Sequence, residues 1–195
     1  MNRHPIIIEI LKYKPLFLDT EFTELRQSAS LISLAIIADT DETFYAEFTE
    51  VEFDKLSDWH KENVVSNLFL DKPSTKPRKS QRFFRGSTED VTRELLGWMQ
   101  QLSKKYEGQM FQFWADVPHY DWVFFCELFG GARALPSYIH YMPMDIATLL
   151  LVKNIDPSKD RMSLLKDVEL KGLKPHNALF DANIAKEVYH KFLLK

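Results

Sequence analysis

The chain has 195 residues, 45% of them hydrophobic and 27% charged, a length and balance suited to one domain with a real core. Its net charge of −3 carries no overall basic signature of a nucleic-acid binder, and its single cysteine, Cys126, excludes an internal disulfide and a cysteine-built zinc site. No run approaches a membrane span, and Ile6-Ile7-Ile8, followed by Glu9 and Lys12, is too short for a signal segment, so a cytoplasmic protein is expected.

Residues 5–12 read as a short leader, a strand or a helical turn. Residues 15–20 form the first core strand, because Leu16-Phe17-Leu18 is apolar on both faces, as a central sheet strand is. Leu31 to Ile37 and Thr43 to Phe48 read as the second and third strands around the polar turn Asp39-Thr40-Asp41-Glu42, giving an antiparallel meander. Ser57 then caps a helix expected from Trp59 to Leu70, with Asp58 in its first turn.

Residues 71–86 break this pattern with Pro73 and Pro77. Here Lys72, Lys76, Arg78, Lys79, Arg82 and Arg85 surround Phe83 and Phe84. Such a loop either grips a phosphate backbone and stacks bases, or is solvated and anchored to the core by its two rings.

Ser87, with Asp90 three residues on, opens a helix whose Val91, Leu95, Trp98, Met99 and Leu102 form a core face. Met110 to Ala115 is a fourth strand. A helix follows from near Asp121 to Leu128, carries Cys126 as a buried thiol, and stops at Gly130-Gly131. Tyr138 to Tyr141 reads as a short fifth strand, and Asp145 as the N-cap of a helix from Ile146 to Lys153. A helix near Ser163–Leu170, a turn at Gly172 and Pro175, and a closing helix from about Asn177 to Leu194 complete the chain. This order predicts an α/β fold over residues 1–195: a mixed five-stranded sheet with helices on both faces.

Two places carry chemistry. Asp19 and Glu21, at i and i+2 at the end of the first strand, project to one face. Like charges repel, and a fold keeps such a pair around a hard cation such as Mg²⁺ or Mn²⁺; the other reading is a solvated strand end. At the start of the closing helix, His176 and Asp181 lie five apart, so His176 can swing over a site that Asp181 enters from the helix. Asp121 opens a helix directly after a core strand, where ligands gather.

Asp19-x-Glu21, then Asp121, then His176-x4-Asp181 resembles the DEDDh 3′–5′ exonucleases, the group of ribonuclease T, oligoribonuclease and the proofreading exonucleases. The resemblance runs from about residue 15 to 194 and is strongest toward a small bacterial and phage exoribonuclease branch. The sister group has Tyr four residues before the last acid, where Asn177 stands here. The middle motif departs from the pattern: Tyr120-Asp121 fits, but Val117 stands where the family has Asn, and Asp116 is a rival acid to the favoured Asp121.

The resemblance implies a ribonuclease H-like sheet and a two-metal site. Asp19 would bridge two Mg²⁺ or Mn²⁺ ions, Glu21 and Asp181 would complete the first site, and Asp121 would hold the second ion through water. His176 would be the general base. Phe22 and Thr23 would meet the terminal nucleotide, Phe22 by its ring and Thr23 by its N–H. Trp59 and His60 are a second base platform, unless Trp59 anchors its helix in the core. The implied reaction is 3′–5′ hydrolysis of single-stranded or 3′-overhanging nucleic acid to nucleoside 5′-monophosphates, with RNA favoured over DNA. Repair or proofreading of DNA and a catalytically silent binding module are the alternatives. A homodimer is expected from the same resemblance.

Overall fold

The computed structural model describes residues 12–72, 77–165 and 173–194. The leader, apart from its last residue, and the second half of the helix expected at Ser163–Leu170 lie outside them. Six strands form one sheet among the described residues: β1 (Lys14–Phe22), β2 (Leu31–Ala38), β3 (Thr43–Phe48), β4 (Gln81–Gly86), β5 (Phe111–Ala115) and β6 (Met144–Asp145). Their order is β4-β3-β2-β1-β5-β6, with β2 antiparallel to its neighbours and every other pairing parallel. β1, β3, β4, β5 and β6 therefore all end on the same side of the sheet.

The alternation along β1 splits the core in two. Leu16 and Leu18 point to a face covered by α2 (Thr88–Lys105) and α3 (His119–Glu127), where Val91, Leu95, Met99 and Phe125 are buried. Phe17 points to the opposite face, covered by α4 (Ile146–Val152) and α6 (Ala178–Tyr189), with Leu150, Ala182 and Val188 beneath it. Each large apolar side chain so buried contributes roughly 1.5–3 kcal/mol. Asp19 and Glu21 continue the Phe17 face and meet α6. Thr20 continues the other and meets α3.

The expected caps are present: Ser57 accepts from the His60 N–H, Ser87 from the Asp90 N–H, and Asp145 from the Ala147 and Thr148 N–H groups. Three expectations are corrected. The sheet has six strands rather than five, because Gln81–Gly86 pairs in parallel with β3 instead of looping through solvent. Phe83 packs on one face of the sheet and Phe84 on the other, while Arg82 pairs with Glu94 and Arg85 with Asp71. Tyr138 to Tyr141 is not a strand: it meets the sheet by a single bridge, Phe111 to Ile139, and the edge position is taken by β6. The helix expected to Leu70 is α1 (Asp58–Asn63) followed by a 3₁₀ turn at Val65–Asn67. Among the described residues no helix is long and apolar enough to cross a membrane.

Candidate active site

Strand β1 builds the floor of the site. Asp19 pairs with Ala35 and Glu21 with Ser33, and the register slips between Glu21 and Phe22. Such a bulge re-aims the next side chain, and the Phe22 ring turns onto α3, 5.7 Å from Tyr120 and 4.9 Å from Phe124. Asp181, in the first turn of α6, faces the two strand acids. Oxygens of Asp19, Glu21 and Asp181 lie within 4.8 Å of one another.

Asp121 enters from the first turn of α3, the position expected of it. One of its oxygens accepts both the backbone N–H of Thr20, at 2.9 Å, and the Thr20 hydroxyl, at 2.6 Å. The rival Asp116 has a different partner. It receives the guanidinium of Arg161, on α5 (Arg161–Leu164), through two bonds of 2.8 Å. Asp116, Asp121, Asp19, Glu21, Asp181, His176 and Arg161 all line one cavity of about 360 Å³.

Burial and mutual repulsion raise these acids. Asp19 is pushed well above the usual carboxylate range, first by burial and then by Asp121, Asp181, Glu21 and Asp116. Burial, with Asp181 and Asp121 adding to it, pushes Glu21 up to about 8. Burial pushes Asp121 up to about 6 against the Thr20 bonds, and Asp181 up to about 6 against the His176 N–H. Acids so placed take up protons more readily than isolated carboxylates do, and a hard dication would relieve the same repulsion. The clustered carboxylates offer oxygen donors, which suit hard divalent cations such as Mg²⁺ or Mn²⁺.

His176 stands at the mouth of this cavity, exposed, with φ of 60°. Its backbone N–H donates to Asp181 Oδ2 at 2.9 Å, and its ring meets Trp59 edge to face with centroids 5.0 Å apart. Trp59 is half exposed rather than a core anchor. A second cavity of about 530 Å³ adjoins the first through Thr20, Glu21 and Phe22, and is walled by Thr23, Leu25, Trp59 and His60. The Thr23 N–H expected to meet a sugar already donates to the Ser30 carbonyl at 3.0 Å, so Thr23 contributes wall and not a free donor. The His60 ring is tied to its cap, Nδ1 lying 2.7 Å from Ser57 Oγ.

The sequence therefore named six residues that line the first cavity, Asp19, Glu21, Phe22, Asp121, His176 and Asp181, with the rival Asp116 beside them, and Thr23, Trp59 and His60, which line the second together with Glu21 and Phe22. It missed Thr20, which bonds Asp121, Arg161, which bonds Asp116, and Asn67, whose side chain bonds the carbonyl of Pro175 beside His176. Thr20 had a local signal, its place between the two strand acids; the others had none.

Comparisons with known proteins identify the family and the fold. The family model for the Rv2179c-like 3′-5′ exoribonuclease domain matches residues 14–193. Two curated relatives from Mycobacterium tuberculosis, 3′-5′ exoribonuclease Rv2179c and 3′-5′ exoribonuclease MT2234.1, are each 29% identical over 124 residues. That stretch is 63% of this chain and 66% of theirs, just under two thirds of their length. Among solved structures, S. pombe Pop2p superposes with a TM-score of 0.53 at 13% identity, over 96% of this chain and 87% of that one. It shares the ribonuclease H-like architecture. On the match that spans both cavities and every strand of the sheet, this chain belongs to the Rv2179c-like 3′-5′ exoribonuclease domain family.

Proposed function

We propose that this chain is a divalent-metal-dependent 3′–5′ exoribonuclease of the DEDDh type that releases nucleoside 5′-monophosphates. The observation that carries the reading is the meeting of Asp19, Glu21, Asp121 and Asp181 in one cavity with His176 at its mouth. Family membership and the 3′-5′ exoribonuclease activity for which the mycobacterial relatives are named support it, as does the Mg²⁺- and Mn²⁺-bound form in which Pop2p was solved.

In this reading Asp19, Glu21 and Asp181 would hold one ion, and Asp19 with Asp121 would hold a second; bound there, the ions would supply electrostatic stabilisation to the attacking and leaving oxygens of an in-line displacement. His176 accepts a proton from the attacking water as the new P–O bond forms and the bond to the 3′-oxygen breaks. The 3′-oxygen is then protonated from solvent. Phe22 and Trp59 face the second cavity, where the terminal base would stack without sequence preference. Preference for RNA requires a contact to the 2′-hydroxyl, and Glu21, which lines both cavities, is the candidate acceptor.

Matched RNA and DNA strands labelled at the 5′ end test this with Mg²⁺, Mn²⁺ or EDTA. The expected result is metal-dependent shortening from the 3′ end, faster for RNA, arrested by a 3′-phosphate and not by a 5′ block. Cuts within a circular RNA would overturn the exonuclease reading, and equal rates on DNA would overturn the substrate preference.

A further inference from the structure

His176 sits on an exposed turn in a left-handed backbone conformation. That conformation is unfavourable for a residue with a side chain and persists where the surroundings fix it. The restraint comes from Asn67, on the 3₁₀ turn after α1. Its side-chain Nδ2 donates to the carbonyl of Pro175 at 3.0 Å. Its own backbone carbonyl accepts from Asn177 Nδ2, also at 3.0 Å. Both neighbours of His176 in the chain are thus tied to one residue, while His176 itself donates its N–H to Asp181 and packs its ring on Trp59.

Asn67 is in turn held from both sides. Its Nδ2 also reaches the Asn63 carbonyl, and Asn63 Nδ2 donates to the Trp59 carbonyl at 2.9 Å. The same segment thereby carries the Trp59 ring that packs against His176. On the other side, the buried Glu47 carboxylate accepts the N–H groups of Phe69 and Leu70, at 2.8 and 3.1 Å, and the Tyr45 hydroxyl at 3.0 Å. Glu47 fixes the chain just past Asn67 onto strand β3.

We propose that Asn67 is a positioning residue for the reaction: it clamps the Pro175–Asn177 turn so that the His176 ring stays between Trp59 and the acidic cavity. The proposal rests on the reading of His176 as general base. A misplacement of about 1 Å in a reacting group can cost as much as ~100-fold in rate. Loss of a clamp that leaves the Asp181 contact intact should cost less, about tenfold.

A double-mutant cycle between Asn67→Ala and His176→Ala tests it. Asn67→Ala should lower kcat about tenfold, with KM for a short RNA and the midpoint of a Mn²⁺ titration within about twofold of wild type. In the His176→Ala background the same change should move kcat by less than about twofold, because its effect passes through the missing ring. The metal-free protein gives a readout independent of activity: the His176 ring proton resonance, displaced by Trp59, should shift toward that of an exposed histidine in Asn67→Ala. Asn67→Asp, which keeps the size and removes the donor, replaces alanine where alanine impairs folding.

Equal losses of kcat in both backgrounds would overturn the proposal, as would a wild-type kcat or an unmoved resonance in the single variant. Full kcat in His176→Ala alone would remove the general-base reading and the proposal with it, and would be seen with Asn67 unaltered.

Discussion

Thr20 gives both of its donors to one oxygen of Asp121, the N–H at 2.9 Å and the hydroxyl at 2.6 Å. Asp121 so held lines the acidic cavity beside Asp19. Thr20→Val removes one of the two bonds and keeps the shape of the strand. It should lower stability by about 0.5–1.5 kcal/mol, raise the Asp121 carboxyl further, and weaken Mn²⁺ binding. Urea unfolding and calorimetric titration on one preparation measure both effects.

The raised acids set the pH dependence of the metal-free protein. Glu21 is pushed up to about 8 and Asp121 and Asp181 to about 6, against about 4 for such groups in an unfolded chain. Between these values the folded state binds more protons than the unfolded one, so stability falls as pH rises. Melting temperature without metal should decline from about pH 4 to 8, with divalent ions stabilising more at pH 8 than at pH 5 because they replace the protons. Asp19→Asn should flatten the decline, keep the fold and abolish activity. Thermal melts across pH, with Mn²⁺ or EDTA, give the answer; a flat wild-type profile would count against this electrostatic account.

His176→Ala should lose about 10²–10⁴ in kcat, the range of general-base catalysis, and still bind Mn²⁺. The residue is exposed at the mouth of the cavity and its ring packs edge to face on the half-exposed Trp59, so the melting temperature should hold. Single-turnover rates and thermal melts separate the two. Lost stability with a near-normal rate would reduce His176 to a structural turn residue.

Arg161 offsets a fifth acid. Its two bonds to Asp116 keep that carboxylate, which acts on Asp19, Asp121 and Asp181, partly neutralised. Arg161→Gln should cost about 1–3 kcal/mol of metal-free stability. Asp116→Asn in the same chain should restore most of it, since the uncompensated charge goes with its partner. A double variant no more stable than Arg161→Gln would mean that the guanidinium acts through Pro157 and Lys159, its other two acceptors.

What the sequence disclosed follows the range of the interactions. The Leu16-Phe17-Leu18 run, the caps at Ser57, Ser87 and Asp145, and the face of α2 rest on neighbours a few residues away, so their patterns are local. Strand β4 was hidden because it is an edge strand whose arginines point outward to carboxylates elsewhere in the chain, which reads as a basic loop. Residues 138–141 have strand composition but only one bridge to the sheet. The acids of the site were legible through their spacing. Their supports were not: Arg161 meets Asp116 across 45 residues and Asn67 meets Pro175 across 108, and no local pattern encodes either.

Arg82 and Arg85 on β4, and Arg161 beside the acids, each already face a carboxylate of this chain. To grip an RNA phosphate, any of them would first leave that partner, so little of the ion atmosphere around the strand would be released on binding. Each phosphate neutralised on a single strand adds about −0.7 to the log–log slope of affinity against salt. With one or two such contacts, KM should change by less than about tenfold between 50 and 200 mM salt. The proposed enzyme would then hold its substrate by the stacked terminal base and the metals, and would let go of the rest of the strand after each nucleotide.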